Sequence, residues 1–370
     1  MQFNRRSLLA AGGALVALIL IIIVVVVSGG GDDEPEASPT TTSSTSSTTS
    51  TTTTTTLPDG PVAPLTGEPI DEDSPLLDQA AVVVKISNNS TVQDNWSGID
   101  LADVVIEERI EDNATRFAVI FHSNLPERVG PIRSGRTSDI DLLTNLGHPI
   151  LVYSGANPTV TGQLRGLQSG GLVELVVDRG TNVDLVRDTD FRAPDNLFSN
   201  LPEIVEKYGE AAGAAAPLFT YRSADDDRVA GDDGPGATVT GQNDVSWVFD
   251  EALGYVRVQD GEIHATQDGA PFAFDNVVLL EVEYTPSTFA PGSVDARTVG
   301  TGPVTIMSGG EQWTGTWMRD TPDDPYSFFD ADGAPLALDP GSTWMSLVPE
   351  GSYGFDLDPE IAALVLEAEG

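Results

Sequence analysis

Arginine side chains are the most informative chemical groups in this sequence. Nine of them fall between residues 109 and 192, where no lysine occurs. Two of these, Arg133 and Arg136, flank a turn marked by glycine and proline in the segment VGPIRSGR (129–136), which leads into an expected helix. The rigid donor fork of arginine suits pairing with a carboxylate or a phosphate. Each arginine could instead pair with an acid of the chain itself, but two arginines at a helix N-terminus favour an anion site.

Other chemistries have little support in the residue types. The chain has no cysteine, which excludes a thiolate nucleophile, a cysteine-built zinc site and lipid attachment through cysteine. Its three histidines (His122, His148 and His264) are scattered without ligand spacing, and no P-loop, dinucleotide glycine motif or nucleophile elbow occurs. We therefore expect no metal site and no cofactor. A glycan hydrolase or lyase needs only two carboxylates, and that alternative stays open.

The charge of the chain is strongly negative, with a formal value of −39 at pH 7. Beyond residue 56 there are 16 basic and 53 acidic residues. A field of this sign repels phosphate backbones and anionic lipid surfaces, so it argues against a role in nucleic-acid binding. It fits either an adaptation for solubility or the attraction of cationic partners.

The N-terminal 64 residues predict a membrane anchor and a spacer. Residues 8–27 are 20 positions without a charge, enough to span a bilayer, and Arg5 and Arg6 in the preceding segment 1–7 predict a cytoplasmic N-terminus. A cleaved signal peptide is the rival interpretation, but this apolar run is longer than usual and lacks a typical cleavage site. Residues 28–64 include a Ser/Thr tract with no apolar side chain to bury, and they are predicted to be a disordered linker. The rest of the chain would face away from the cytoplasm.

Residues 65–215 predict an α+β (or α/β) domain. Near-continuous apolar runs such as AVVVKI (81–86) and ILVYSG (150–155) are typical of strands covered on both faces. Apolar residues at helical spacing predict helices over 137–147 and 158–168. Asn200, followed by Pro202 and Glu203, predicts the start of a third helix.

The C-terminal part predicts a small, mainly-β domain over residues 241–352, after an acidic linker at 216–240 and before a tail at 353–370. Asp-Gly and Gly-Gly pairs between alternating runs predict hairpins in a meander or open barrel. Four tryptophans of this part would either pack in the core or form a surface on which sugars stack: Trp247, Trp313, Trp317 and Trp344.

Several segments carry a family resemblance. GIDLADVVIEE (98–108), ATRFAVIFHS (114–123), ERVGPIRSGR (127–136) and FRAPDNLF (191–198) resemble the YerB-like family of bacterial envelope proteins, and the likeness continues in FDNVVLLEVEY and LDPGSTWMSLVP. The resemblance covers nearly the whole folded part. Most members are known as lipoproteins with a domain of unknown function, so the likeness implies an envelope location but no defined chemistry.

The resemblance implies signature positions at Asp103, Glu107, Arg116, Gly130, Pro131, Arg133, Arg136, Pro194 and Asn196. The chain departs from the family at three points. Ile106 stands where a tyrosine is frequent, Asp195 where a histidine is frequent, and the lipid-bearing cysteine is missing. If that histidine acts as a general base in relatives, this chain has lost it or uses Asp195, which weakens an enzymatic interpretation.

These observations favour a non-enzymatic, single-pass membrane protein whose first domain binds an anionic cell-wall or peptide ligand. One alternative is a carboxylate-based enzyme on wall glycan, using Asp103, Glu107 or Asp195. Another is a scaffold protein of the envelope with a fixed protein partner. The residues expected at the ligand site are Asp103, Glu107, Arg116, Arg133, Arg136, Asn157, Arg187, Arg192 and Asn196.

Overall fold

The computed structural model describes residues 60–89, 95–178, 184–223, 230–241, 243–288 and 292–366. The predicted anchor at 8–27 and most of the predicted linker lie outside these residues. Within the described ranges, no helix has the length and apolar character needed to cross a membrane.

The first half of the described chain alternates strands with helices. The apolar runs become strands because they can be covered on both faces, and β1 and β3 are buried along their whole length. The elements are β1 (Val82–Asn88), β2 (Val104–Arg109), β3 (Thr115–Phe121), α1 (Asp139–Leu143), β4 (Ile150–Tyr153), α2 (Pro158–Ser169), β5 (Glu174–Val177), β6 (Leu185–Arg187), β7 (Leu197–Ser199) and α3 (Leu201–Tyr208).

The predicted helices are confirmed, with one change. Residues 137–147 form α1 followed by a 3-10 turn at Thr144–Leu146 instead of one continuous helix. The α3 helix begins as expected, because the side chain of Asn200 accepts a hydrogen bond from the backbone N–H of Glu203. The α2 helix is capped in the same way, by Asn157 accepting from Val160.

The second half is almost entirely β-structure. Its elements are β8 (Asp232–Asp233), β9 (Gly236–Val239), β10 (Val245–Asp250), β11 (Gly254–Gln259), β12 (Glu262–Ile263), β13 (Ala273–Phe274), β14 (Asn276–Glu281), β15 (Tyr284–Pro286), β16 (Val294–Ala296), β17 (Gly300–Ser308), β18 (Glu311–Arg319), β19 (Ser327–Asp330), β20 (Pro335–Leu336), β21 (Thr343–Val348), β22 (Tyr353–Gly354) and α4 (Pro359–Leu366). The β17–β18 hairpin turns at Gly309 and Gly310, which both have positive φ, as a tight two-residue turn requires.

Strands of both halves share the larger sheet. It has 12 strands among the described residues, in the order β20-β19-β18-β17-β14-β21-β2-β3-β1-β4-β5, with β8 beside β18. The halves join where β2 pairs in parallel with β21, so that Glu107 lies beside Ser346. The strands of the second half are therefore divided between two sheets instead of forming a meander or barrel of their own.

The two faces of the larger sheet are covered differently. One face packs against a second sheet, β12-β11-β10-β9-β22 with β13, and this inter-sheet layer contains Val105, Phe117, Trp247 and Trp344. The opposite, helix-covered face contacts Leu142 of α1 and Leu164 of α2. The fold is thus mainly β with few helices, and alternate residues of β1, β2 and β3 point into chemically separate layers.

Candidate functional site

Three arginines lie close together on the helix-covered side of the sheet, and we call Arg116, Arg133 and Arg136 the arginine cluster. Arg116 is the second residue of β3 and shares its face with Ala118, which packs in the helix-covered layer. Arg133 and Arg136 belong to the loop that runs from β3 to α1. The side chain of Arg116 donates to the backbone carbonyl of Ser134 at 3.3 Å, which places its guanidinium against that loop.

The loop is fixed by backbone hydrogen bonds to neighbouring strands. The N–H of Arg133 donates to the carbonyl of Lys85 in the middle of β1 (2.8 Å), and its own carbonyl accepts from the N–H of Ser154 just after β4 (2.9 Å). The N–H of Gly135 donates to Gly155 at 2.9 Å. Because β1, β4 and β5 run in parallel, the cluster lies at the carboxyl edge of this part of the sheet. Ligand sites of open α/β sheets are commonly found at that edge.

Two members of the arginine cluster are tied to acids. Arg133 is paired with Asp195 and Arg136 with Glu111, in both cases through Nη1. The guanidinium-bearing side chains remain 19% and 20% exposed, respectively. These pairs hold the two arginines in place while leaving part of each side chain accessible to solvent.

Arg116 differs from the other two because it is only 1% exposed and has no carboxylate oxygen within 4.0 Å among the described residues. Its Nε–H is buried and has no hydrogen-bond partner there. Burial, together with the charges of Arg136 and Arg133, lowers the pKa of Arg116 to about 9, although Glu108 and Asp195 oppose the shift. A buried cation without an adjacent anion is costly, so this position favours an acceptor from outside the chain.

Beneath the cluster lies a buried charge triad of Lys85, Glu108 and Asp139. The ammonium of Lys85 contacts Glu108 at 2.6 Å and Asp139 at 2.7 Å. Asp139 also accepts from the backbone N–H of Arg136 at 2.6 Å, which connects the triad to the loop. Burial raises the pKa of Asp139, Lys85 opposes this shift and Glu108 adds to it. The triad was not expected from the sequence, but a lysine and an acid inside buried apolar runs were a signal that such pairing is required.

The structure does not bring Asp103 and Glu107 into the cluster. Asp103 is 2% exposed and accepts hydrogen bonds from the backbone N–H groups of His122 and Ser123. Glu107 points into the inter-sheet layer, opposite to Arg116, and pairs with Arg257 at 2.9 Å. Both carboxylates are thus occupied by internal partners because buried acids require them. In the structure these two carboxylates contact groups of the chain itself, in place of the ligand contacts expected of them.

The remaining expected site residues lie around the edges of the cluster or away from it. Asn157 serves as the cap of α2. Arg187 is exposed, pairs with Asp178 and donates to Asn196 at 2.9 Å. The amide of Asn196 also donates to the carbonyls of Asp188 and Phe191, which holds the turn before β7. Arg192 is exposed on that turn.

A second polar network, centred on Glu107, fills the inter-sheet layer. The two carboxylate oxygens of Glu107 both accept hydrogen bonds from Arg257, at 2.9 and 3.1 Å. Glu107 also accepts from the hydroxyl of Thr115 at 2.7 Å and from the indole N–H of Trp344 at 3.2 Å. Arg257 also donates to the Nδ1 atom of His264. Three of the four tryptophans considered for sugar stacking (Trp247, Trp317 and Trp344) are at most 2% exposed, so they pack in the core. Among the described residues, no set of three or more histidine or acidic side chains is arranged to hold a metal ion.

Comparison with known proteins gives a consistent result over most of the chain. Residues 65–214 match the family described as protein of unknown function (DUF3048), N-terminal domain, and residues 237–345 match its C-terminal domain. The Bacillus subtilis (strain 168) protein named "Putative lipoprotein YerB" is 28% identical over 325 residues, covering 83% of this chain and 89% of the relative. The crystal structure of YerB from Bacillus subtilis has the same fold, with a TM-score of 0.68 at 24% identity over 80% of this chain and 99% of that one. The chain belongs to the YerB-like family.

Proposed function

We propose that this chain is a membrane-anchored, extracytoplasmic envelope protein that binds an anionic cell-wall or peptide ligand at the arginine cluster. The name of the Bacillus subtilis relative describes a lipoprotein, which supports a place at the outer side of a membrane. This chain has no cysteine to carry a lipid, and its apolar residues 8–27 offer another means of attachment.

The observation that carries the ligand proposal is the state of Arg116. Its guanidinium is buried, has two arginines as neighbours and no carboxylate at ion-pair distance among the described residues. An arginine that only filled space would be replaced at little cost by an apolar side chain. A bound anion would supply the missing acceptor, with Arg133 and Arg136 contacting it from the solvent side.

The flanking polar residues extend the same proposal. Asn196 follows Asp195, whose carboxylate pairs with Arg133, and Arg187 donates to the side chain of Asn196. Asn157 follows Gly155, which accepts from the loop of the cluster. Arg187, Arg192, Asn157 and Asn196 would then contact the parts of the ligand that surround the anionic group.

The geometry supports binding better than catalysis. An enzyme of the two-carboxylate type needs an acid and a second carboxylate separated by about 5–10 Å across an open substrate site. Asp103 and Glu107 are buried and fully engaged, and Asp195 is paired with Arg133. A scaffold role would need a fixed protein partner, which crosslinking in membranes would reveal.

Retention on purified cell walls tests the proposed function. Full-length protein in a neutral detergent should sediment with wall fractions, and the double variant Arg133→Ala/Arg136→Ala should lose most of this retention. The control is Arg222→Ala, because Arg222 pairs with Asp339 at a similar exposure (22%) in the other half of the chain. No retention of the wild type, or equal retention of the double variant, would contradict the proposal.

The anchor is tested separately by extraction of membranes with alkaline carbonate. A chain held by residues 8–27 stays in the membrane pellet, whereas deletion of that segment releases the folded part. Release of the intact wild-type chain would contradict the anchor.

A further inference from the structure

N–H donors without a partner in the arginine cluster indicate how many acceptor atoms a ligand must supply. The Nε–H groups of Arg116 and Arg136 are both buried and have no hydrogen-bond partner among the described residues. Each belongs to a guanidinium that already uses Nη1, in Arg116 for the carbonyl of Ser134 and in Arg136 for Glu111. Arg257 has an unpartnered Nε–H too, but it is enclosed between the two sheets and paired with Glu107, whereas the cluster lies at a loop with partly exposed arginines. Unpartnered buried donors beside such a loop favour a bound acceptor. The ligand must therefore supply at least two acceptor atoms.

The three arginines approach from different elements. Arg116 is held by β3, whereas Arg133 and Arg136 belong to the loop that precedes α1. A carboxylate is planar, and its two oxygens match the fork of one guanidinium. A phosphate has oxygens in a tetrahedral arrangement, so it can accept from several forks in different directions. The arrangement of the donors favours phosphate.

The position of α2 adds to this preference. Its cap, Asn157, lies two residues after Gly155, which is hydrogen-bonded to Gly135 of the cluster loop. A Cβ atom placed on Gly135 would be only 3.3 Å from Leu164 of α2, so the loop and the helix are in close contact. The N-terminus of a 12-residue helix carries a partial positive charge that favours a phosphate.

The charge of the whole chain limits the size of the anion. Beyond residue 56 the acids outnumber the bases by 37, and this field repels a dense polyanion. Within the site, Asp195 and Glu111 stand beside Arg133 and Arg136 and would repel a second anionic group. The site therefore suits one phosphate group and not a run of them.

From these observations we infer that the arginine cluster binds a single phosphate group, carried on a small molecule or at the end of a longer one. This inference rests on the proposed function and specifies its ligand class. The phosphate would accept from the Nε–H groups of Arg116 and Arg136 and from the guanidinium of Arg133.

Titration calorimetry on the full-length protein in a neutral detergent tests the inference. The probes are inorganic phosphate, glycerol 3-phosphate, a glycerophosphodiester, acetate and succinate, at pH 7 and constant ionic strength. We expect at least one of the phosphates to bind at least tenfold more tightly than either carboxylate, and the monoester and diester arms distinguish an end group from an internal link. Equal or tighter binding of a carboxylate would overturn the inference, and so would the absence of phosphate binding.

Arginine-to-lysine variants test whether the guanidinium group itself is needed, because they keep the positive charge and remove the forked donor. Arg133→Lys and Arg136→Lys should each weaken phosphate binding at least tenfold, whereas Arg222→Lys should leave it unchanged. Phosphate binding that is unchanged in both cluster variants would also overturn the inference. The comparison of phosphate with carboxylate needs only the wild type, so the test holds even if a variant does not fold.

Competition on cell walls separates this inference from the proposed function. If glycerol 3-phosphate releases the wall-bound protein and succinate does not, both stand. If retention depends on the arginines but only succinate releases the protein, the phosphate inference fails and the proposed function survives. If retention on cell walls does not depend on Arg133 and Arg136, both the phosphate inference and the proposed function fail.

Discussion

Glu107 and Glu108 are neighbours on one strand, yet they belong to two networks in which buried charges are paired differently. Glu107 faces the inter-sheet layer and pairs with Arg257 through two hydrogen bonds, at 2.9 and 3.1 Å. Glu108 faces the helix-covered side and pairs with Lys85 at 2.6 Å, below the arginine cluster. The first network is enclosed between two sheets, whereas the second ends at a loop with partly exposed arginines.

The two networks differ in how many hydrogen-bond and ion-pair partners they give their buried arginine, which is Arg257 in the first and Arg116 in the second. Arg257 and Arg116 are equally buried, and in both the Nε–H lacks a hydrogen-bond partner among the described residues. Arg257 nevertheless has a carboxylate across its fork and the rings of Trp344 and Phe117 at 5.0 and 5.5 Å. Within the part of the chain that the structure describes, the guanidinium of Arg116 donates to a single acceptor, the carbonyl of Ser134. Burial alone therefore does not distinguish the two arginines; the paired carboxylate of Arg257 does.

The largest expected effect comes from the enclosed network. Glu107→Gln should lower the free energy of unfolding by about 3–5 kcal/mol, because it leaves the charge of Arg257 buried without its anion. The double variant Glu107→Met/Arg257→Met should recover most of this loss, since no unpaired charge remains. Urea unfolding of the three proteins measures both effects. A loss below about 1 kcal/mol for Glu107→Gln would show that the Glu107–Arg257 pair stabilises the fold no more than a partly exposed pair of the arginine cluster does.

The pH dependence of stability should also follow the enclosed network. Burial, and then the charge of Arg257, keeps the pKa of His264 well below its ordinary value of 6.5. Below pH 6.5 the unfolded chain takes up a proton that the folded chain refuses, so stability falls as the pH is lowered through this range. His264→Asn keeps an acceptor for Arg257 and should lower the slope by up to about 1.4 kcal/mol per pH unit, the contribution of one proton.

Urea unfolding of wild type and His264→Asn between pH 5 and 8 provides the measurement. His122 remains in the variant, and burial lowers its pKa too, so part of the slope should persist. An identical slope in the two proteins would contradict the assignment of a neutral His264.

The smallest effect is expected at the rim of the arginine cluster. Burial opposes the ionisation of Glu111, but its backbone hydrogen bond and Arg136 outweigh it and lower the pKa. The pair with Arg136 is partly exposed, so it stabilises the fold by at most about 1 kcal/mol. This contribution is present above the carboxyl's unfolded pKa near 4.5 and is lost as the pH falls through the lower folded value.

Glu111→Gln should consequently cost little stability and bind phosphate more tightly, since a negative charge beside Arg136 is removed. Thermal unfolding with and without inorganic phosphate measures both quantities. Weaker phosphate binding in Glu111→Gln would show that this acid positions Arg136 more than it opposes the ligand.

Local signals account for the parts of the structure that were predictable. The cap Asn200 and the Gly309–Gly310 turn act within a few residues of the chain, and each lies where the sequence predicts it. Asn157, expected at the ligand site, caps α2 in the same local way. The clustering of Arg133 and Arg136 with Arg116 follows from one loop and one strand. The placement of neighbouring β2 side chains on opposite faces of the sheet also follows from the sequence, because adjacent residues of a strand point to opposite sides.

Non-local pairing accounts for what the sequence did not reveal. Glu107 and Arg257 are 150 residues apart, and they meet only because β2 pairs with β21 and the second sheet covers that face. No local pattern specifies such a partner. The acids at Asp103 and Glu107 were therefore assigned to a ligand site, although their surroundings in the fold give them structural places.

The most direct test of the central claim is to observe the Nε–H groups of individual arginines by NMR while inorganic phosphate is added. Arg116→Lys, Arg136→Lys and Arg257→Lys assign the three signals. If the arginine cluster binds an anion, the signals of Arg116 and Arg136 move and saturate together, while that of Arg257, which is enclosed between the two sheets and paired with Glu107, stays in place. Signals of Arg116 and Arg136 that remain still, or that move no more than Arg257, would contradict the account.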